Sequence, residues 1–162
     1  KVIQEIEIIK SIDMTVIRKI AQIIYQYPKV TAFGTLFSQL GALDLQYKLA
    51  YNHKFIMSYV NDVKQDEYLK NNSEQGVVII YSNSGNYLNK YQLSSFDEKK
   101  KYDYKNKKVI LITANEMMVN HPDVDICLVY QHLSKLQTHS YIYPLINDLI
   151  VAEYRSFQNA NF

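Results

Sequence analysis

Two short loops carry the residue types that could hold a ligand. They are Gly34-Thr35-Leu36-Phe37-Ser38 and Ser82-Asn83-Ser84-Gly85-Asn86-Tyr87. Each follows an apolar run and precedes a polar or helical stretch. Serine and threonine hydroxyls donate hydrogen bonds, and glycine lets the backbone approach a bound group. Free backbone N–H groups at the start of a helix favour an anion. Neither loop holds a lysine, and the G-x-x-x-x-G-K-[ST] pattern of a nucleotide-binding P-loop is absent. Neutral donors of this kind suit a phosphomonoester held without a metal. The plainer reading is that these serines and Asn83 cap helices and shape turns, their commonest role.

Few other residues suggest chemistry. The histidines His53, His121, His132 and His139 show no zinc-site spacing, and one cysteine cannot complete such a site. Proton abstraction beside a carbonyl would need a base, for which His139, Glu116 and Glu74 are the candidates. Nothing in the sequence pairs these three, so they read first as surface or capping residues. Lys99, Lys100, Lys101, Lys107 and Lys108, interleaved with Tyr102 and Tyr104, could touch a phosphate backbone. Such a run is more often a solvated helix end and loop. Tyr25, Tyr47, Tyr141 and Tyr154 fall on helical faces and read as core or subunit-interface residues. Cys127 lies in an apolar strand pattern and reads as an inert buried thiol.

The rest of the chain must position the two loops. Its 162 residues fit one domain, 1–162, and 48% hydrophobic against 21% charged residues excludes a disordered chain. With 18 basic and 16 acidic residues the net charge is +2, so the total does not demand a nucleic-acid surface. A single cysteine excludes a disulfide framework and agrees with a reducing cytoplasm. No apolar run approaches the roughly 20 residues that cross a membrane.

Residues 2–9 have a helical apolar spacing. Asp13 is placed to cap a second helix with a stripe of Ile17, Ile20, Ala21, Ile24 and Tyr25 that stops before Pro28. Residues 30–33, 55–60, 77–81, 109–113 and 126–129 read as strands, several of them apolar throughout. Between them lie helical patterns, the third gap being a Tyr-rich helix or helix-plus-loop up to about Asn106. A last helix, 142–157, accepts Pro144 only in its first turn. Strands apolar on both sides and separated by helices predict an α/β fold, an open five-stranded parallel sheet with helices on both faces. Ligands bind such sheets beyond the carboxyl ends of the strands, at the topological switch point. That directs attention back to the loops after the first and third strands.

Taken together, the ordered segments resemble a sugar isomerase (SIS) domain. Residues 33–38 stand for its apolar strand and G-x-G-x-S, and Asp44-Leu45-Gln46-Tyr47-Lys48-Leu49 for the D-L-x-x-K-L-like helix. Residues 78–85 run into its S-x-S-G signature, and 109–113 and 123–128 resemble its next two strands. The nearest flavour is the effector domain of RpiR-type bacterial transcriptional regulators, over nearly the whole chain. That resemblance implies a flavodoxin-like three-layer sandwich that binds a sugar phosphate, with no catalytic residue, metal or cofactor of its own. The implied ligand-binding residues are Gly34, Thr35, Ser38, Ser82, Asn83, Ser84, Gly85 and Tyr87. Leu36 stands where the family has its second glycine, and Tyr87 where many members have threonine. The resemblance further implies a cytoplasmic homodimer or higher homo-oligomer that reaches DNA only through an N-terminal helix-turn-helix domain. Lys1 as first residue and a linker-like helix over 1–12 are what a cut after such a domain would leave. The alternatives are an aldose–ketose isomerase of the same fold, or a degenerate SIS module that only dimerises.

Overall fold

The computed structural model describes residues 2–71, 73–93, 98–131 and 141–161, with side chains from Ile6 onward. Two helices lead in, α1 (Val2–Ser11) and α2 (Met14–Gln26). The Asp13 side chain accepts the Thr15 N–H at 2.9 Å, which satisfies one of the donors a helix start leaves open. Ile17, Ile20, Ala21 and Ile24 are buried at helical spacing, and α2 stops two residues ahead of Pro28.

The chain then alternates strand and helix: β1 (Val30–Gly34), α3 (Ser38–Ala50), β2 (Met57–Ser58), α4 (Asp62–Asn71) and β3 (Gly76–Tyr81). A 3₁₀ turn (Asn86–Asn89), β4 (Lys107–Thr113), a second 3₁₀ turn (Glu116–Asn120), β5 (Ile126–Val129) and α5 (Ile142–Asn159) complete it. All four strand pairings are parallel, in the order β2-β1-β3-β4-β5. The expected α/β class and five parallel strands are what the chain forms.

The sheet is buried on both sides, as its apolar strands require. Every residue of β1 and β3 is buried. Val77, Ile79 and Tyr81 face one core with residues of α2, α3 and α5, and Val78 and Ile80 face the other with Phe33, Leu69, Tyr87 and Leu111. Each large apolar side chain taken from water contributes about 1.5–3 kcal/mol. The first core is roofed by α2, α3 and α5, joined by Ile8 of α1. Over the second lie α4 and the tyrosine-rich chain around the first 3₁₀ turn.

One expectation changes and another narrows. The strand expected over 55–60 is a two-residue edge, because Phe55 and Met57 are 77% and 52% exposed and only Thr31 and Ala32 pair with it. Of the two readings for the stretch after β3, the described residues fit helix-plus-loop, with the helix cut to one 3₁₀ turn and a Tyr91–Lys101 bridge beyond it. The polar residues of this stretch and Tyr87 do not provide the apolar stripe that a longer helix would bury.

Candidate functional site

The order of the strands puts the switch point between β1 and β3. β1 is followed by a connection to β2 on one side, β3 by a connection to β4 on the other, and the two strands themselves are neighbours. Gly34 and Tyr81, their last residues, lie in register. The loops singled out in the sequence therefore leave the same edge of the sheet side by side.

The first corner is tight. Ser38, Gln39 and Leu40 donate their N–H groups to the carbonyls of Thr35, Leu36 and Phe37 at 3.0–3.2 Å, so α3 opens in a 3₁₀ manner. Phe37 precedes the helix without a side-chain cap. Leu36, where the resemblance would place a second glycine, takes φ +52°, a left-handed conformation that a leucine seldom adopts. It stands 83% exposed, beside Phe37 at 68%, so both side chains are largely in solvent. Gly34 is required by packing: a Cβ there would lie 2.4 Å from the backbone C and O of Ser38.

The second corner is held from several sides. The carbonyl of Asn83 accepts from Ala114 N and Thr113 Oγ1, both at 3.0 Å, and that of Ser84 from Asn115 Nδ2 at 2.9 Å. A trans peptide directs the next N–H opposite to the carbonyl. Among the described residues the N–H groups of Asn83 and Ser84 have no protein acceptor. Ser82 Oγ accepts the Tyr87 N–H at 3.3 Å and Ser84 Oγ the Asn86 N–H at 3.2 Å. Each hydroxyl is thereby oriented while its proton stays available to donate. Gly85, at φ +79°, makes the reversal that only glycine makes at no steric cost.

A line of hydroxyls joins the two corners. Ser38 Oγ lies 3.4 Å from Tyr143 Oη, Tyr143 Oη 3.2 Å from Tyr130 Oη, and Tyr130 Oη donates to Asn83 Oδ1 at 2.7 Å. Tyr130 follows β5 and Tyr143 sits in the first turn of α5. The Tyr143 ring meets those of Tyr81 and Tyr130 edge-on, with centroids 5.0 and 5.9 Å apart. Burial pushes the hydroxyls of Tyr130, Tyr143 and Tyr81 above the usual phenol range. For Tyr143 the bonds to Ser38 and Tyr130 oppose that rise. The bridge is therefore uncharged at neutral pH, and both corners offer neutral donors. Sequence reading missed Tyr130 and Tyr143: their only signal was two tyrosines flanking the last apolar strand and last helix.

Of the expected site residues, Gly34, Thr35, Ser38, Ser82, Asn83, Ser84 and Gly85 surround the switch point. Tyr87 does not present its side chain there. Its hydroxyl donates to Gln65 Oε1 at 2.6 Å, its ring stacks on Phe33 at 6.3 Å, and it is 4% exposed. Gln65 in turn donates to the carbonyls of Gly34 and Tyr59. Tyr87 thus braces the β1 exit through Gln65, with its hydroxyl spent inside the protein.

The other candidates scatter. Glu74 stands at the amino end of β3, paired with Lys29, on the opposite edge of the sheet from the two loops. Glu116 lines a cavity of about 930 Å³ with Asp13, Cys127 and Tyr130. His132 and His139 lie outside the described residues. Among the described residues no group of three His, Cys, Asp or Glu side chains could hold a metal ion. Burial pushes the half-buried Cys127 thiol up to about 11, which keeps it protonated and unreactive. Tyr154 is core and Tyr25 packs on it, whereas Tyr47 and Tyr141 are 67% and 54% exposed. No described helix is long and apolar enough to cross a membrane.

No protein-family model and no curated protein sequence matches the chain. Solved structures do match. The sugar isomerase domain of the RpiR transcription factor from Sphaerobacter thermophilus superimposes with TM-score 0.67 at 14% identity, over 94% of this chain and 83% of that one. A Listeria monocytogenes protein assigned as a sugar-phosphate isomerase gives 0.68 at 14% identity, over 94% and 82%. The Vibrio vulnificus NanR protein complexed with ManNAc-6P gives 0.63 at 16% identity, over 94% and 59%. The chain has the fold of SIS domains, the RpiR type among them. This is the fold that the resemblance implied.

Proposed function

We propose that the domain binds a sugar phosphate between the Ser38 corner and the loop Ser82–Gly85, as the sensing part of an RpiR-type transcriptional regulator. The phosphate would rest on the Asn83 and Ser84 N–H groups and the Ser82 and Ser84 hydroxyls. Ser38, Thr35 and Gly34 would bound the sugar from the first corner. The observation that carries this reading is the second corner: two unpartnered amides and two oriented hydroxyls around a left-handed glycine make a concavity that suits an anion. We favour a sensing role; among the described residues the two candidate bases, Glu74 and Glu116, do not gather at the crevice. Glu74 is at the far edge, and Glu116 lines a cavity that reaches Tyr130 but includes none of Ser38, Ser82, Asn83 and Ser84. Structural neighbours of both kinds, a transcription factor and a protein complexed with ManNAc-6P, agree with the reading. In this reading two copies associate, the ligand favours one arrangement of the pair, and an attached DNA-binding domain responds. DNA contact, self-association and a cytoplasmic, bacterial setting are parts of the same proposal.

Calorimetric titration tests it. A panel of hexose and aminosugar phosphates, ManNAc-6P included, should yield saturable heat for at least one member, and the matching unphosphorylated sugar none. Absence of heat and of thermal shift across the panel would overturn the proposal. Turnover of an aldose to a ketose phosphate would replace the sensor with an isomerase.

A further inference from the structure

Ser38 and Ser82, which must face a ligand in the proposed site, are only 8% and 9% exposed. A ligand reaches them only if the corners part. What ties the corners is the hydroxyl line Ser38–Tyr143–Tyr130–Asn83, whose links measure 3.4, 3.2 and 2.7 Å. Its longest link lies at the Ser38 end, near the limit of a hydrogen bond. A phosphate oxygen is a stronger acceptor than a neutral phenol. The Ser38 proton therefore has a better partner once an anion enters.

We propose that this line is a latch that holds the crevice shut and opens at Ser38···Tyr143 when ligand binds, so that occupancy is passed to α5. The inference rests on the sugar-phosphate reading and adds how the site is regulated. Tyr143 is fully buried in the first turn of α5, so a change at its hydroxyl cannot be absorbed by solvent. The rest of α5 is clamped to α3. Lys48 Nζ reaches Asp44 at 2.9 Å and Asp148 at 2.7 Å, and Asn147 Nδ2 donates to the Gly41 carbonyl and to Asp44 Oδ2, both at 2.9 Å. Loss of the Ser38 link thus leaves this clamp as the pivot between α3 and α5. An adjoining face of α5 packs on α2, with Arg18 paired to Glu153 at 3.2 Å. Motion of α5 is therefore delivered to α2, the helix that follows α1.

The latch predicts a sign that a supporting role does not. A closed state that must open lowers apparent affinity by the fraction already open. Tyr143→Phe and Tyr130→Phe each cut the line while keeping the ring. Both should tighten binding of the sugar phosphate found by titration, by about fivefold for one neutral hydrogen bond. Ligand-free protein supplies a second arm. Hydrogen exchange at Ser38–Leu40 and at Gly85, whose N–H groups are bonded within the corners, should quicken in either variant, with α4 and β4 unchanged. Thermal melts of both variants establish that they fold, and Tyr130→Phe carries the test if Tyr143→Phe does not. Unchanged or weaker binding in a folded variant, with wild type binding normally, would overturn the latch alone. If wild type binds no sugar phosphate the proposed function fails. Unaltered exchange at both corners then overturns the closure as well, and faster exchange retains it as a property of the empty fold.

Discussion

The two corners at the switch point are built in opposite ways. At the first, Ser38, Gln39 and Leu40 spend their N–H groups on the turn itself, and Leu36 and Phe37 project into solvent. At the second, carbonyls and hydroxyls take up the local bonds, so the Asn83 and Ser84 amides stay open. Both read alike in sequence, as small and hydroxylated residues after an apolar strand. Composition of a loop thus says less about anion binding than the direction in which neighbouring groups pull its peptides. In the proposed reading the second corner is the seat for charge, and the first is packing and a movable wall.

Gly34→Ala gives the largest expected effect on that contrast. Its Cβ would overlap the Ser38 backbone at 2.4 Å, and backbone cannot swing aside. We expect a loss of about 3 kcal/mol, which for a chain of this size lowers the melting temperature by roughly 6–12 °C. A neutral result in a thermal melt would show the first corner to be loose. Tyr87→Phe comes next. It strips the donor from buried Gln65 Oε1, for about 2 kcal/mol measured by denaturant unfolding, while ligand affinity holds. A selective loss of affinity would return Tyr87 to the ligand. Gly85→Ala should cost about 1–2 kcal/mol, from φ +79°, since the Met118 side chain it meets can rotate away. Ser84→Ala has the smallest effect on folding, within about 0.5 kcal/mol, yet should weaken sugar-phosphate binding about tenfold or more in calorimetry. If it left affinity intact, the two corners would not differ as described.

The apolar runs made β1, β3, β4 and β5 legible: β1 and β3 are buried throughout, β4 nearly so, and the half-buried edge strand β5 is still apolar at every position. β2 was not, since its six β-prone residues include the exposed Phe55 and only two of them pair. Asp13 was legible as a cap because capping is a local act of neighbouring residues. The site was legible in part. Hydroxyls and glycines marked the corners, and parallel order brought them together. The inward turn of Tyr87 was hidden, for it depends on Gln65 of α4. Tyr130 and Tyr143 were hidden for the same reason: their partners Asn83 and Ser38 lie 47 and 105 residues away, and no spacing rule spans such distances.

The account rests on an anion seat at the second corner. Crystals of the domain soaked with the sugar phosphate that binds best test it directly. Phosphate density against the Asn83 and Ser84 amides and the Ser82 and Ser84 hydroxyls, with the sugar extending toward Ser38, is the predicted result. Ligand density elsewhere, with that loop empty and the Tyr143–Ser38 link intact, would contradict it.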